Sequence, residues 1–369
     1  MLHIFLSFVF FNIIVFNLYG HYKKGDYYVK KSDLLIYIAL FILFGTYGGG
    51  EGDFFHYKDI IEEHHSLSDV LFYSGMEPQY VYLSYFVGGN YYLWRFVLFS
   101  IEFLGFGYFL YKAKLNTYAV LLSFTTLCLV SSVYGRAYWG GIYFFFGVYL
   151  LIEKKNPLYI IAILLSYVSH TSGLIRIALL PLAFINIKKW HLIALMFSFG
   201  LIVAIFKDAL IDLLNSGGFD ADGASYINSR LETYANEESK AYFGKSLGTT
   251  ISIVLKDLFV VSVIYTVVAL IFKNNNGYSA IYKPLRGVIN ICLGVFILSA
   301  IILAASVGSG PLFYRVFDMT VFMVAIIIPC LKDVGVITKK RFIIYIYWFI
   351  FYSEYRYIID LYYAYVEGI

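Results

Sequence analysis

Apolar runs of about 17–25 residues recur along this chain, and that is the length a helix needs to cross the hydrocarbon core of a bilayer. Lipid leaves a backbone two ways to satisfy its polar groups, the helix and the closed barrel. Barrel strands alternate polar and apolar residues over segments of about ten. The runs here are longer and unbroken, so the expected class is all-α. Composition agrees: of 369 residues 60% are hydrophobic and 14% charged, where an ordinary soluble domain carries about 25% charged residues. Mean hydropathy is +0.74. A polytopic membrane protein is expected, as one integral membrane domain over residues 1–369.

The predicted spans are 2–20, 33–48, 91–111, 117–134, 136–152, 157–170, 171–187, 190–206, 250–272, 287–306, 312–331 and 342–362, about 12 transmembrane helices. The last is the weakest by composition, because Ser353, Glu354, Arg356 and Asp360 make its tail polar. Residues 1–19 have no basic leader and no small-residue cleavage site, so they read as the first span and not as a removed signal. Cys128, Cys292 and Cys330 stand singly in apolar segments, a pattern of neither disulfides nor metal ligands.

Simple alternation of these spans puts Lys23, Lys24, Lys30, Lys31, Lys112, Lys114, Lys154, Lys155, Lys188, Lys189, Lys273, Lys283, Arg286, Lys332, Lys339, Lys340 and Arg341 on one side. The positive-inside rule makes that side cytoplasmic. The opposite side carries the long, acidic loops, 49–80 and 207–249. Long loops in compact domains are usually functional or disordered. Within the second, SYINSRLETYANEE has the pattern of a short amphipathic helix lying on the membrane. Chemistry is therefore expected on the extracytoplasmic face.

The pair around which the chain is organised lies in Ser132–Arg176. Two apolar segments hang from the basic turn EKKNP, which brings Arg136, at the start of one, to the same side as His170, at the end of the other. An intramembrane charge is by default a functional candidate, and a guanidinium can clamp a phosphate with two donors. The bland alternative for Arg136 is snorkelling to headgroups. His170 titrates near neutrality and suits a general base; otherwise it is a helix-end histidine bonded to a carbonyl. Arg176 lies deeper and needs a partner or a wet cavity. Asp53 and Glu77 flank the first long loop, where a carboxylate can orient or deprotonate a hydroxyl, against solvated loop charge as the alternative. His56, His64 and His65 fit no metal-ligand spacing. Arg315 either contacts substrate or pairs with Asp318 one turn on. Tyr80 and Trp139 belong to aromatic clusters with the apolar face and polar tip that suit sugar rings; belts at the membrane interface use the same residues. No Walker-type loop occurs, which argues against an ATP-driven pump.

These residues fall in an ordered series: G-x-G-D-F-x-x-Y at 50–57, E-P-x-Y at 77–80, G-x-N-Y-Y at 89–92 allowing one slip, G-R-A at 135–137, H-T-S at 170–172 and Y-R-V-F at 314–317. The series resembles the EpsG-type membrane proteins of bacterial exopolysaccharide clusters, which are similar to Wzy polymerases. The resemblance covers about residues 40–330. It implies a GT-C-like fold and a polymerase of undecaprenyl-diphosphate-linked repeat units, acting on the outer face of the bacterial cytoplasmic (inner) membrane. Carried onto this chain it picks out Asp53, Glu77, Arg136, His170 and Arg315; Ala137 stands where the family often has glutamine. The implied partners are the lipid-linked glycan, the bilayer and a chain-length regulator, with no cofactor, metal or nucleic acid. The alternative function is a flippase of the same lipid-linked oligosaccharide, which would show polar residues deep in several helices and an internal repeat.

Overall fold

The computed structural model describes residues 2–48, 53–66, 68, 78–112, 115–129, 136–154, 156–169, 173–201, 247–273, 281, 283–305 and 321–367. Among them every regular element is helical. In chain order these are α1 (Leu2–Lys24), α2 (Lys31–Tyr47), α3 (Asp53–Glu63), α4 (Pro78–Phe86), α5 (Tyr91–Lys112), α6 (Thr117–Phe124), α7 (Arg136–Tyr149), α8 (Leu158–Ser169), α9 (Gly173–Ala178), α10 (Lys189–Leu201), α11 (Leu247–Lys273), α12 (Lys283–Ala305), α13 (Val321–Asp333) and α14 (Lys339–Glu367). Ile4–Lys24 and Tyr91–Lys112 are long and apolar enough to span a bilayer, and several shorter helices are apolar throughout.

The centre of the bundle is α6, extended by a wide turn over Thr125–Leu129. Every residue from Thr117 to Leu129 is buried, as expected of a helix that is apolar all round. Around it α2 packs on α5, and α7 on α8, at glycines. A Cβ on Gly45 would lie 2.5 Å from the Phe99 ring, and one on Gly147 would lie 2.8 Å from Ile163. Small residues of this kind let helix backbones approach where lipid supplies no hydrophobic drive. The outside is apolar too: Phe16, Phe86, Trp190, Phe197 and Tyr265 are all more than two-thirds exposed. A surface of that kind is stable in hydrocarbon and a liability in water.

Three of the lysine-rich turns meet. The Tyr27 hydroxyl donates to Asp333 Oδ2 at 3.0 Å, Thr117 N–H donates to the Tyr27 carbonyl at 3.0 Å, and Lys332 Nζ sits 5.4 Å from the Tyr22 ring centre. These contacts join the turns after α1, α5 and α13.

Two elements differ from the sequence expectation. Asp53–Glu63, expected inside a loop, is helical: Tyr57 and Ile61 bury one face and Lys58 pairs with Glu62 one turn on at 3.9 Å. The 171–187 segment is not one helix. α9 stops at Ala178 and a 3₁₀ turn runs Leu180–Phe184, because Pro181 has no N–H to continue the ladder. Asn290 of α12 compensates by donating to the carbonyls of Leu182 (2.9 Å) and Ile185 (2.6 Å), which is how a broken helix is tolerated in lipid. The last span is helical as expected, polar tail included, and runs on to Glu367. Ser353 donates to the Thr126 carbonyl in the wide turn of α6 at 2.6 Å, and Arg356 pairs with Asp360 at 3.5 Å.

Candidate functional site

The end of the bundle opposite the lysines gathers the beginnings of α4, α5 and α7 and the ends of α2 and α8. Tyr80 joins two of these. Its hydroxyl donates to the Ser169 carbonyl at 2.8 Å, and both residues are fully buried. Ser169 is the last residue of α8 and the neighbour of His170 in the chain; Tyr80 is three residues beyond Glu77. One buried bond therefore joins Tyr80, the last residue of E-P-x-Y, to the residue that precedes H-T-S in the chain. Glu77 and His170 themselves lie outside the described residues.

A second link comes from α5. The turn after α4 uses two consecutive glycines in the left-handed region, Gly88 (φ 61°) and Gly89 (φ 72°), a conformation costly for residues with a Cβ. Asn90 then caps α5 by accepting from Leu93 N–H at 3.0 Å. This tight return lays Trp94 against Tyr80. The indole N–H donates to the Tyr80 carbonyl at 3.1 Å, and the rings are 5.6 Å apart. The Tyr91 ring stacks on Trp94 at 6.0 Å.

Arg95 completes the link. Its guanidinium donates from Nε to the Gly45 carbonyl at 2.8 Å and from Nη2 to the carbonyls of Gly45 and Gly48, the latter at 2.7 Å. Nη1 donates to the Tyr91 hydroxyl at 3.1 Å. The side chain is 2% exposed. The last carbonyls of a helix have no partners within it, and they carry the negative end of its dipole. A buried arginine satisfies both, fixing the direction in which α2 leaves toward the G-x-G-D loop. Residues 49–52 of that loop are outside the described residues. Asp53 begins α3, but its side chain is likewise not described.

The third group surrounds Arg176, which is fully buried on α9. Its Nη1 donates to Ser166 Oγ at 3.4 Å, and Ser166 Oγ donates to the Gly140 carbonyl at 2.6 Å. A Cβ on Gly140 would lie 3.0 Å from that Nη1, so glycine is what lets the guanidinium lie against α7. Gly140 is one turn beyond Arg136 and on the same helix face. The partner that the sequence demanded for Arg176 is thus supplied by α7 and α8, one turn from the position of Arg136. Arg136 and Trp139 are placed on α7, with side chains outside the description; Arg315 and Asp318 lie outside the described residues, as does the amphipathic segment of 207–249.

Tyr80, expected as an open face for a sugar, has no exposed surface. Its hydroxyl and ring are committed to Ser169 and Trp94, so in this geometry it braces the site. Tyr82, Tyr85 and Tyr92 are the exposed aromatics nearby, each more than 40% accessible. Arg95 escaped the sequence reading, although the signal was available: an arginine inside the apolar run YYLWRFVLF is as unusual as one at Arg176. Glu102, two turns further along the same face of α5, was missed for the same reason. It is buried beside Tyr143, and neither carboxyl oxygen has a hydrogen-bond partner among the described residues. No group of three His, Cys, Asp or Glu side chains suited to a metal occurs among the described residues.

Apolar helices with a lipid-compatible exterior, and buried arginines gathered toward one end, define a helical membrane protein with a polar site at one side of the bundle. More particularly, the EpsG family model matches residues 30–366, nearly the whole chain, and the chain belongs to the EpsG family. Membership places it among membrane proteins of polysaccharide biosynthesis. No curated protein and no solved structure matches it.

Proposed function

We propose that this protein is a GT-C-like polymerase that joins undecaprenyl-diphosphate-linked oligosaccharide repeat units at the non-lysine end of the bundle, on the outer face of the bacterial inner membrane. The growing glycan moves from its lipid diphosphate to a hydroxyl of the next lipid-linked unit. The bond from the anomeric carbon to the diphosphate oxygen breaks, a new glycosidic bond forms, and the acceptor loses a proton. No nucleotide is consumed, because the donor is already activated on its lipid.

The observation that supports the reading is the buried Tyr80–Ser169 bond, between residues close in sequence to Glu77 and His170 and one helix away from buried Arg176. The leaving diphosphate gains charge as its bond breaks, and fixed guanidinium donors stabilise such charge without reorganising. Arg136 and Arg315 are assigned to the diphosphate. Arg176, held by Ser166, is assigned to the same anion or to the positioning of Arg136 above it. His170, Asp53 and Glu77 are the candidate bases for the acceptor proton. A chain-length regulator is the expected protein partner.

The test is deletion of the gene in its host, with the surface glycan resolved on a gel beside strains restored with the wild type or Arg136→Ala. A polymerase predicts single repeat units in the deletion, a full ladder with the wild type and single units with the variant. An unchanged ladder in the deletion contradicts the function. Complete loss of glycan in the deletion points to the flippase.

A further inference from the structure

We propose that the groove between the first turns of α2 and the last turns of α5 binds one anionic glycerophospholipid, with its phosphate between Lys31 and Lys112 and an acyl chain along the groove. This inference is independent of the polymerase reading and concerns the opposite end of the bundle.

The groove is a cavity of about 290 Å³ lined by Lys31, Leu34, Leu35, Ile38, Leu104, Gly107, Tyr108 and Tyr111. Its floor is Leu34 and Ile38, both buried, and its rims are Leu35, Leu104 and Tyr108, all exposed. Gly107 gives it depth: a Cβ there would lie 2.8 Å from Ile38. From Lys31 to Ile38 the track is about 10 Å long at 1.5 Å per residue. It is apolar along that length and opens toward what surrounds the bundle, which in a bilayer is acyl chain.

The mouth is what makes the site selective. Lys31 Nζ lies 4.8 Å from the centre of the Tyr111 ring and Lys112 Nζ lies 4.9 Å from the centre of the same ring. Lys112 also sits 5.7 Å from the Tyr108 ring. Two ammonium groups are thereby held on one aromatic ring, and among the described residues neither has a carboxylate partner. The carboxylate in the first turn of α2, Asp33, accepts from Ser32 and lies on the neighbouring face with Tyr37, toward Tyr118. Sharing one ring keeps the two ammonium groups no more than about 10 Å apart; like charges within that range repel, and a phosphodiester bridging them removes the repulsion. Chain below and phosphate above is the chemistry of an anionic phospholipid, and basic clusters at a membrane surface attract such headgroups.

The test is native mass spectrometry of the full-length protein released from detergent containing equal amounts of phosphatidylglycerol and phosphatidylcholine with identical chains. The expected result is a one-to-one phosphatidylglycerol adduct favoured roughly 30-fold, the increment for two lysines near an anionic surface. Lys31→Gln with Lys112→Gln abolishes the preference. Leu104→Trp, at an exposed rim position, fills the groove and lowers the adduct with both lysines intact. Equal retention of the two lipids by the wild type, or an undiminished preference in the double variant, overturns the proposal. Displacement of the adduct by millimolar inorganic phosphate also overturns it, since that marks a free-phosphate site without a chain.

Discussion

Removal of the Arg95 side chain should be felt sharply, and the cost can be worked from its contacts. Arg95→Ala strips the Gly45 and Gly48 carbonyls of their donors where the end of α2 is buried against α5. Each buried acceptor left unsatisfied costs about 1–3 kcal/mol, or about 2–6 kcal/mol for the two. Relief of burying a charge offsets part of this, so about 2–4 kcal/mol is expected. Arg95→Met keeps the volume but not the donors and should fall in the same range. Arg95→Lys retains one point donor without the planar fork and should cost about half as much. The assay is unfolding in mixed micelles of increasing dodecyl sulfate fraction, followed by tryptophan fluorescence. A cycle with Tyr91→Phe should show coupling of about 0.5–3 kcal/mol, as for residues sharing a hydrogen bond. Arg95→Ala and Arg95→Met both within about 0.5 kcal/mol of wild type, the range of an inert surface change, would refute the claim that Arg95 anchors α2.

Tyr80→Phe removes the bond to Ser169 and should shorten the polymer more than it lowers stability, because it loosens the tie between α4 and the end of α8 beside the proposed site; gel ladders and melting curves in detergent separate the effects. Asn290→Leu should cost about 2–4 kcal/mol in the same unfolding assay, since the Leu182 and Ile185 carbonyls lose their donor in lipid. Arg176→Gln, which keeps donors to Ser166 but not the charge, should retain the folded protein and lose polymer; full-length polymer would remove Arg176 from the anion site. At the lysine end, burial first and the Asp333 carboxylate second hold the Tyr27 phenol above its ordinary value near 10. A raised phenol contributes stability that is fully present below about pH 10 and is lost as pH climbs through the folded value. Melting temperature should therefore fall above about pH 10 more steeply in the wild type than in Tyr27→Phe.

Much of the bundle was legible because lipid imposes a length and a composition on each helix, so α2, α5, α7 and α8 begin and end within a few residues of the apolar runs that announce them. Pro181 was equally visible, but what a break leads to depends on Asn290, more than a hundred residues away. α3 was hidden by its charges: DFFHYKDIIEE reads as loop until Tyr57 and Ile61 find a surface to bury against. Arg136, His170, Glu77 and Asp53 are expectations from motif and side whose side chains lie outside the described residues, whereas the burial of Arg176 followed from its place in an apolar run. The Tyr80–Ser169 bond and the Arg95 clamp could not be named, since both depend on which helices touch. Aromatic clusters were the least readable feature, because a tyrosine that stacks on a sugar and one that braces a helix end have the same sequence signature.

The most direct test of the account is to supply purified protein in liposomes with a lipid-diphosphate-linked repeat unit and no nucleotide, and to resolve the products by size. The account predicts a ladder of lipid-linked oligomers with the wild type and none with Arg136→Ala or His170→Ala that melt as the wild type does. A ladder undiminished in both variants would contradict a site at this end of the bundle. Repeat units that cross the bilayer without ever being joined would contradict the polymerase itself.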